Sequence, residues 1–169
     1  MNSKTTYGAR RDFGDTHIDQ IRKLLSTLAP CDPFYVVKST DHQDMKEATD
    51  LLHPYLGKIA MRIRDCEYYE RYSNQFTLRT SGRNTEYDKL KSGNVDYYFY
   101  GFRDKQGNLA QWVFMEVCND FFSKPIEAKQ NRDYSTFQAY YINNAAVVAS
   151  GTADRVYKPF ELLRMRAVA

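Results

Sequence analysis

The residue types that can handle phosphate or a divalent cation gather in one stretch. Asp50, Arg62, Arg64, Arg79, Glu86, Lys89, Asp96 and Glu116 all lie between residues 44 and 118. Metal-dependent phosphodiester hydrolysis needs carboxylates, because Mg²⁺ and Mn²⁺ take hard oxygen ligands. It also needs a cation or base beside the attacking water. Asp96 and Glu116 can supply the carboxylates, Glu86 a third and Lys89 the cation. The plainer alternative has Asp96 capping a strand start, Glu116 at a solvated strand end and Glu86 pairing along its helix. Arg62, Arg64, Arg79 and Arg83 are the candidate phosphate ligands, since guanidinium forks match phosphate bidentately. Arginine has effectively no deprotonated form, so none of them is a base; in an enzyme they position phosphate or stabilise developing charge. Arg62 and Arg64 share one face of a strand, roughly 6–7 Å apart. They repel unless an anion lies between them, and phosphate or the carboxylates of Glu67, Glu70 or Glu86 would serve.

Other chemistries find little support. His17, His42 and His53 lack metal-ligand spacing, although His53 lies close enough to Asp50 in sequence to shuttle a proton. Cys31, Cys66 and Cys118 are far apart and odd in number, which argues against a zinc site or disulfide framework and for a reducing setting. No phosphate loop, dinucleotide fingerprint or Ser/His/Asp arrangement is present.

Sequence periodicity supplies the elements that must hold these groups. Ile18, Ile21, Leu24, Leu25 and Leu28 recur at helical spacing after Asp15 or Thr16, and Ala29-Pro30 ends that helix. Residues 34–37 are short and β-prone. The segment 41–47 reads as a charged approach, and Pro54 to Gly57 as a turn. Ile59, Met61 and Ile63 alternate with Ala60, Arg62 and Arg64, which predicts a strand with one basic face. Residues 75–80 repeat the pattern after a polar, aromatic connection. Asn84 or Thr85 caps a short helix stopped by Gly93. Residues 96–102 and 110–117 form a hairpin about the turn 104–108. Neither hairpin strand alternates cleanly, so the sheet is expected to be covered on both faces. Beyond Phe122 the reading is a loop at 124–134, a strand at 137–142, a short apolar piece at 145–149 and a terminal turn at 160–165.

A helix bearing Glu86, a strand opening at Asn94-Val95-Asp96 and a hairpin partner ending Glu116-Val117-Cys118 resemble the core of the PD-(D/E)XK, or restriction-endonuclease-like, nuclease superfamily. The resemblance covers residues 84–118 and rests on element order and spacing. It implies an α/β fold with a central mixed sheet flanked by helices. It also implies Mg²⁺ or Mn²⁺ bound by Asp96, Glu116 and Glu86. The family's lysine orients or activates the attacking water; Cys118 takes its place here, and Lys89 on the helix is the substitute. A second register puts Asp50 in the place of the family aspartate and the tripeptide at Arg62-Ile63-Arg64. The first keeps both carboxylates and is preferred.

Length and composition set the remaining bounds. At 169 residues the chain is expected to form one α/β domain, with 1–13 a loose arm and no linker or repeat. Its net charge of +3 implies nucleic acid only where arginines cluster. The 14 tyrosines and 10 phenylalanines suit either a half-wet sheet face or stacking platforms for bases. No apolar run reaches a membrane span, and the N-terminus lacks a signal-peptide core. The functional expectation is a metal-dependent nuclease acting on DNA in the cytoplasm. The alternative is an inactive nucleic-acid- or protein-binding accessory factor of phage or mobile-element type on the same fold. Homodimerisation is left open.

Overall fold

An apolar stripe seats the first helix. In the computed structural model, which describes residues 16–47, 49–72, 74–82, 85–130, 136–142 and 147–152, helix α1 spans Ile18–Leu28. Ile21 and Leu25 are fully buried on it, as the 3.6-residue period requires. A 3-10 turn, Pro33–Tyr35, leads into strand β1, Val37–Lys38. Helix α2, Asp41–Glu47, replaces the expected charged approach. Its entry is a capping box: Thr40 Oγ1 accepts from the Gln43 N–H at 3.3 Å, and Gln43 Oε1 accepts from the Thr40 N–H at 3.0 Å. Strands β2, Leu51–His53, and β3, Gly57–Arg64, form a hairpin.

The connection from β3 to its next neighbour is long, as parallel pairing demands. It contains helix α3, Cys66–Tyr72, where the sequence suggested only a connection, then strand β4, Gln75–Arg79, and helix α4, Glu86–Lys91. A capping box starts α4, with Thr85 Oγ1 and the Asp88 carboxylate each accepting the other's backbone N–H at 3.2 Å. Strands β5, Tyr97–Arg103, and β6, Leu109–Glu116, make the expected hairpin. A 3-10 turn at Asn119–Phe122 follows. Strand β7, Pro125–Gln130, stands where a loop was expected, ahead of β8, Thr136–Tyr141, and β9, Val147–Gly151. The expected arm at 1–13 and terminal turn at 160–165 lie outside the described residues.

The fold is mixed α/β, with a six-stranded sheet ordered β1-β2-β3-β5-β6-β9 and a three-stranded sheet ordered β4-β8-β7. Among the described residues only β3 and β5 pair in parallel; the other ladders are antiparallel. Helix α1 covers one face of the large sheet, over Ile59, Ile63, Tyr97, Phe99, Trp112 and Phe114. The second sheet covers the other, with Phe76 and Tyr140 stacked (5.1 Å) and Phe76 tilted against Tyr98 and Phe121. Residues 97–102 are consequently all buried, which is why their sequence does not alternate.

Candidate functional site

Asp50 is held by its backbone on two sides. Its N–H donates to Ile59 O and its carbonyl accepts from the Ser39 N–H, both at 2.9 Å. That brings the side chain over β3, where Oδ2 accepts the Met61 N–H at 2.5 Å. Burial raises the Asp50 carboxyl to about 8, against the pull of the Met61 N–H; Asp44 and Glu86 push it further up and Lys89 draws it down. At neutral pH this carboxyl therefore carries a proton.

Two residues on from the Met61 contact's neighbour Ala60, Arg62 projects from β3 toward α4 and forms an ion pair with Glu86 Oε2. The other Glu86 oxygen accepts from the Tyr98 hydroxyl at 2.6 Å. Burial alone would lower the Arg62 guanidinium, but the adjacent Glu86 carboxylate outweighs it and holds the charge firmly in place. Burial, then the negative charge of Glu86, pushes the Tyr98 phenol well above its ordinary value. Lys89 lies one helical turn from Glu86 on the same side of α4. Its Nζ donates to the Asp44 carbonyl at 3.2 Å. Asp50, Arg62, Glu86, Lys89 and Tyr98 thus form one cluster drawn from the residue before β2 and from β3, α4 and β5.

The three carboxylates Glu86, Asp96 and Glu116 are not brought together. Asp96 is exposed, and it brackets the β2–β3 turn: its Oδ2 accepts from the Lys58 N–H at 2.8 Å and its own N–H donates to Lys58 O at 2.9 Å. Glu116 pairs with Tyr97 across the ladder. Directly paired residues share a sheet face, so Glu116 lies on the α1 side, while Glu86 meets Tyr98 on the opposite side. The Cys118 carbonyl accepts the Phe121 N–H at 3.0 Å, at the start of a 3-10 turn.

Arg64 points to the same side as Arg62. Its Nε donates to Tyr100 Oη at 3.0 Å and its Nη2 to Thr77 Oγ1 at 2.6 Å, and its guanidinium lies 5.0 Å from the Tyr68 ring centre. Arg79 is exposed on β4 of the second sheet, and Arg83 lies outside the described residues. His53 is buried, with Nδ1 accepting the Tyr55 and Leu56 N–H groups at 3.1 and 3.2 Å. Burial lowers its pKa, and its ring fastens the turn rather than facing Asp50 chemistry. Tyr98 was missed as a site residue in the sequence. Its signal was the spacing of Tyr98 and Tyr100, which puts both hydroxyls on one side of β5.

Among the described residues no three His, Cys, Asp or Glu side chains are grouped as a metal-ligand set. Mg²⁺ retains several waters and is often held by only one or two carboxylates plus substrate phosphate. Asp50 and Glu86 meet that lesser requirement in donor chemistry, since each carboxylate oxygen has a second lone pair to offer. No helix among the described residues is long and apolar enough to cross a membrane. No protein-family model and no curated protein matches this chain.

Proposed function

We propose that this chain is a nuclease-like protein acting on DNA phosphodiesters, with Mg²⁺ or Mn²⁺ held by Asp50 and Glu86. The observation that carries this reading is a carboxyl kept protonated at neutral pH beside a second carboxylate, a lysine and an arginine. A carboxyl perturbed by burial together with specific charged neighbours is a functional-site candidate. This reading combines the two registers of the PD-(D/E)XK resemblance, taking Asp50 from the second and Glu86 and Lys89 from the first.

Each residue then has a task. Asp50 would hold the cation as a carboxylate, its proton released to solvent, because a metal ligand must be deprotonated. Arg62 and Tyr98 orient Glu86 through one contact to each carboxylate oxygen. Lys89 brings positive charge to the carboxylate pair, where an attacking water or a phosphate oxygen would be held. When bound, the ion supplies charge neutralisation and an acidified water.

A second reading, a binding protein without catalysis, is favoured by the engagement of both Glu86 oxygens by Arg62 and Tyr98. One experiment decides between them. Plasmid and single-stranded DNA are incubated with Mg²⁺, Mn²⁺ or EDTA and with Asp50→Asn, Glu86→Gln and Asp96→Asn. The nuclease reading expects metal-dependent cleavage abolished by the first two substitutions and kept by the third. Cleavage absent with every metal, or indifferent to Asp50→Asn and Glu86→Gln, refutes it.

A further inference from the structure

We propose that the hollow beside α3 binds one unpaired nucleobase of a nucleic-acid strand whose phosphate reaches the Arg62–Glu86 cluster. The inference rests on the nucleic-acid reading above, though not on cleavage. The hollow lies where α3 meets both sheets, with a volume of about 250 Å³. That is slightly below the usual range for small-molecule sites and suits a single ring system better than a whole cofactor.

Its walls carry the chemistry a base requires. Tyr68 and Tyr72 lie one helical turn apart on α3 and are 43% and 37% exposed, so both rings are within reach of a ligand. Arg64 lies over the Tyr68 ring and is itself fixed by Tyr100 and Thr77, which holds the platform in place before any ligand arrives. Arg71 and Glu67 stand on the same lining. A bare phosphate would meet repulsion from Glu67, and an apolar ligand would leave the exposed Glu67 and Arg71 at the rim without a role. A base satisfies all of them, with a flat face for the tyrosines, N–H groups for Glu67 and acceptors or an attached phosphate for Arg71.

Position links the hollow to the cluster. Arg62 and Arg64 project from the same side of β3, and Tyr98 and Tyr100 from the same side of β5. The Glu86 contacts and the hollow are therefore one strand repeat apart, roughly 6–7 Å. A nucleotide with its base beside Tyr68 presents its backbone to Arg62. A base stacked inside a duplex cannot offer its faces in this way; it must be unpaired or extruded.

The test is fluorescence anisotropy in EDTA. The ligands are a labelled single-stranded oligonucleotide, the same sequence as a duplex, a fully abasic strand of equal length, and a mononucleotide as competitor. Base–aromatic stacking is worth about 1–3 kcal/mol per base, so Tyr68→Ala should weaken single-strand binding roughly 5- to 150-fold. Abasic and duplex binding should not change. Tyr68→Trp should retain single-strand affinity, and its emission should be quenched by the oligonucleotide but not by the abasic strand. An effect of Tyr68→Ala that is nil, or equal for all strands, overturns the proposal. So does a mononucleotide that binds as tightly as the strand in a Tyr68-dependent way, which would make this a free-nucleotide site. If DNA is never cleaved while the Tyr68-dependent preference persists, the nuclease reading falls and this one stands. Cleavage with no such preference has the opposite meaning.

Discussion

Replacing Asp50 by Asn should make the protein more stable as the pH rises. The carboxyl titrates near 8 in the folded chain against 3.8 as its ordinary value. Between those values the unfolded chain gains by ionising and the folded chain does not. A raised folded pKa means that stability is full below the ordinary pKa and is lost as pH climbs through the folded one. From pH 3.8 to 7 the span is about 3 pH units, and each unit is worth about 1.4 kcal/mol, giving about 4 kcal/mol. Asp50 keeps a partly accessible edge, so this figure is an upper bound. Asn keeps an oxygen for the Met61 N–H and has no charge to lose. Its amide N–H groups need new partners, at a pH-independent cost of about 1–3 kcal/mol. The diagnostic quantity is therefore the slope of the difference between the two proteins. Urea unfolding followed through buried Trp112, from pH 4.5 to 8.5, should show Asp50→Asn gaining on the wild type by up to about 1.4 kcal/mol per pH unit. The gain should level off above pH 8. Parallel profiles for the two proteins would refute the claim that Asp50 is held protonated.

Two further outcomes test the scaffold around the cluster. Arg62→Ala should destabilise the fold by about 2–4 kcal/mol, since it leaves the half-buried Glu86 carboxylate without its cation. Combining it with Glu86→Gln should recover part of that loss, and additive losses in urea unfolding would refute the coupling. Gly57 sits at φ 82°, with Asp96 Oδ2 only 2.4 Å from where a Cβ would be placed. Gly57→Ala should thus cost more than the 1–2 kcal/mol or so typical of left-handed backbone alone. Asp96→Ala should relieve the excess, so an equal loss in both backgrounds would count against the bracket between Asp96 and the β2–β3 turn.

Local patterns carried much of the fold. Helical spacing at Ile18 to Leu28, alternation at Ile59 to Arg64 and the hairpin turn at 104–108 are short-range signals, and the structure follows each of them. The helices at 41–47 and 66–72 were harder to read because they are short and have little apolar periodicity. A capping box at Thr40 and Gln43 was the available cue for the first. Strand β7 alternates only briefly, over Ile126 to Lys129, and its conformation is decided by ladder pairing with β8.

The sequence by itself determined which residues could do chemistry, and every member of the cluster except Tyr98 was already a named candidate. It also determined that Glu86 and Lys89 share one side of a helix and that Arg62 and Arg64 share one side of a strand, because periodicity alone settles both. It could not determine which carboxylate joins them. Asp96 and Glu116 are near in sequence to the helix, but strand alternation and ladder register put Glu116 on the far side of the sheet and turn Asp96 onto the Lys58 backbone. Asp50 is 36 residues from Glu86, and only the parallel pairing of β3 with β5 closes that distance. Strand order is a long-range choice made by burial on both faces of the sheet, and no local pattern encodes it.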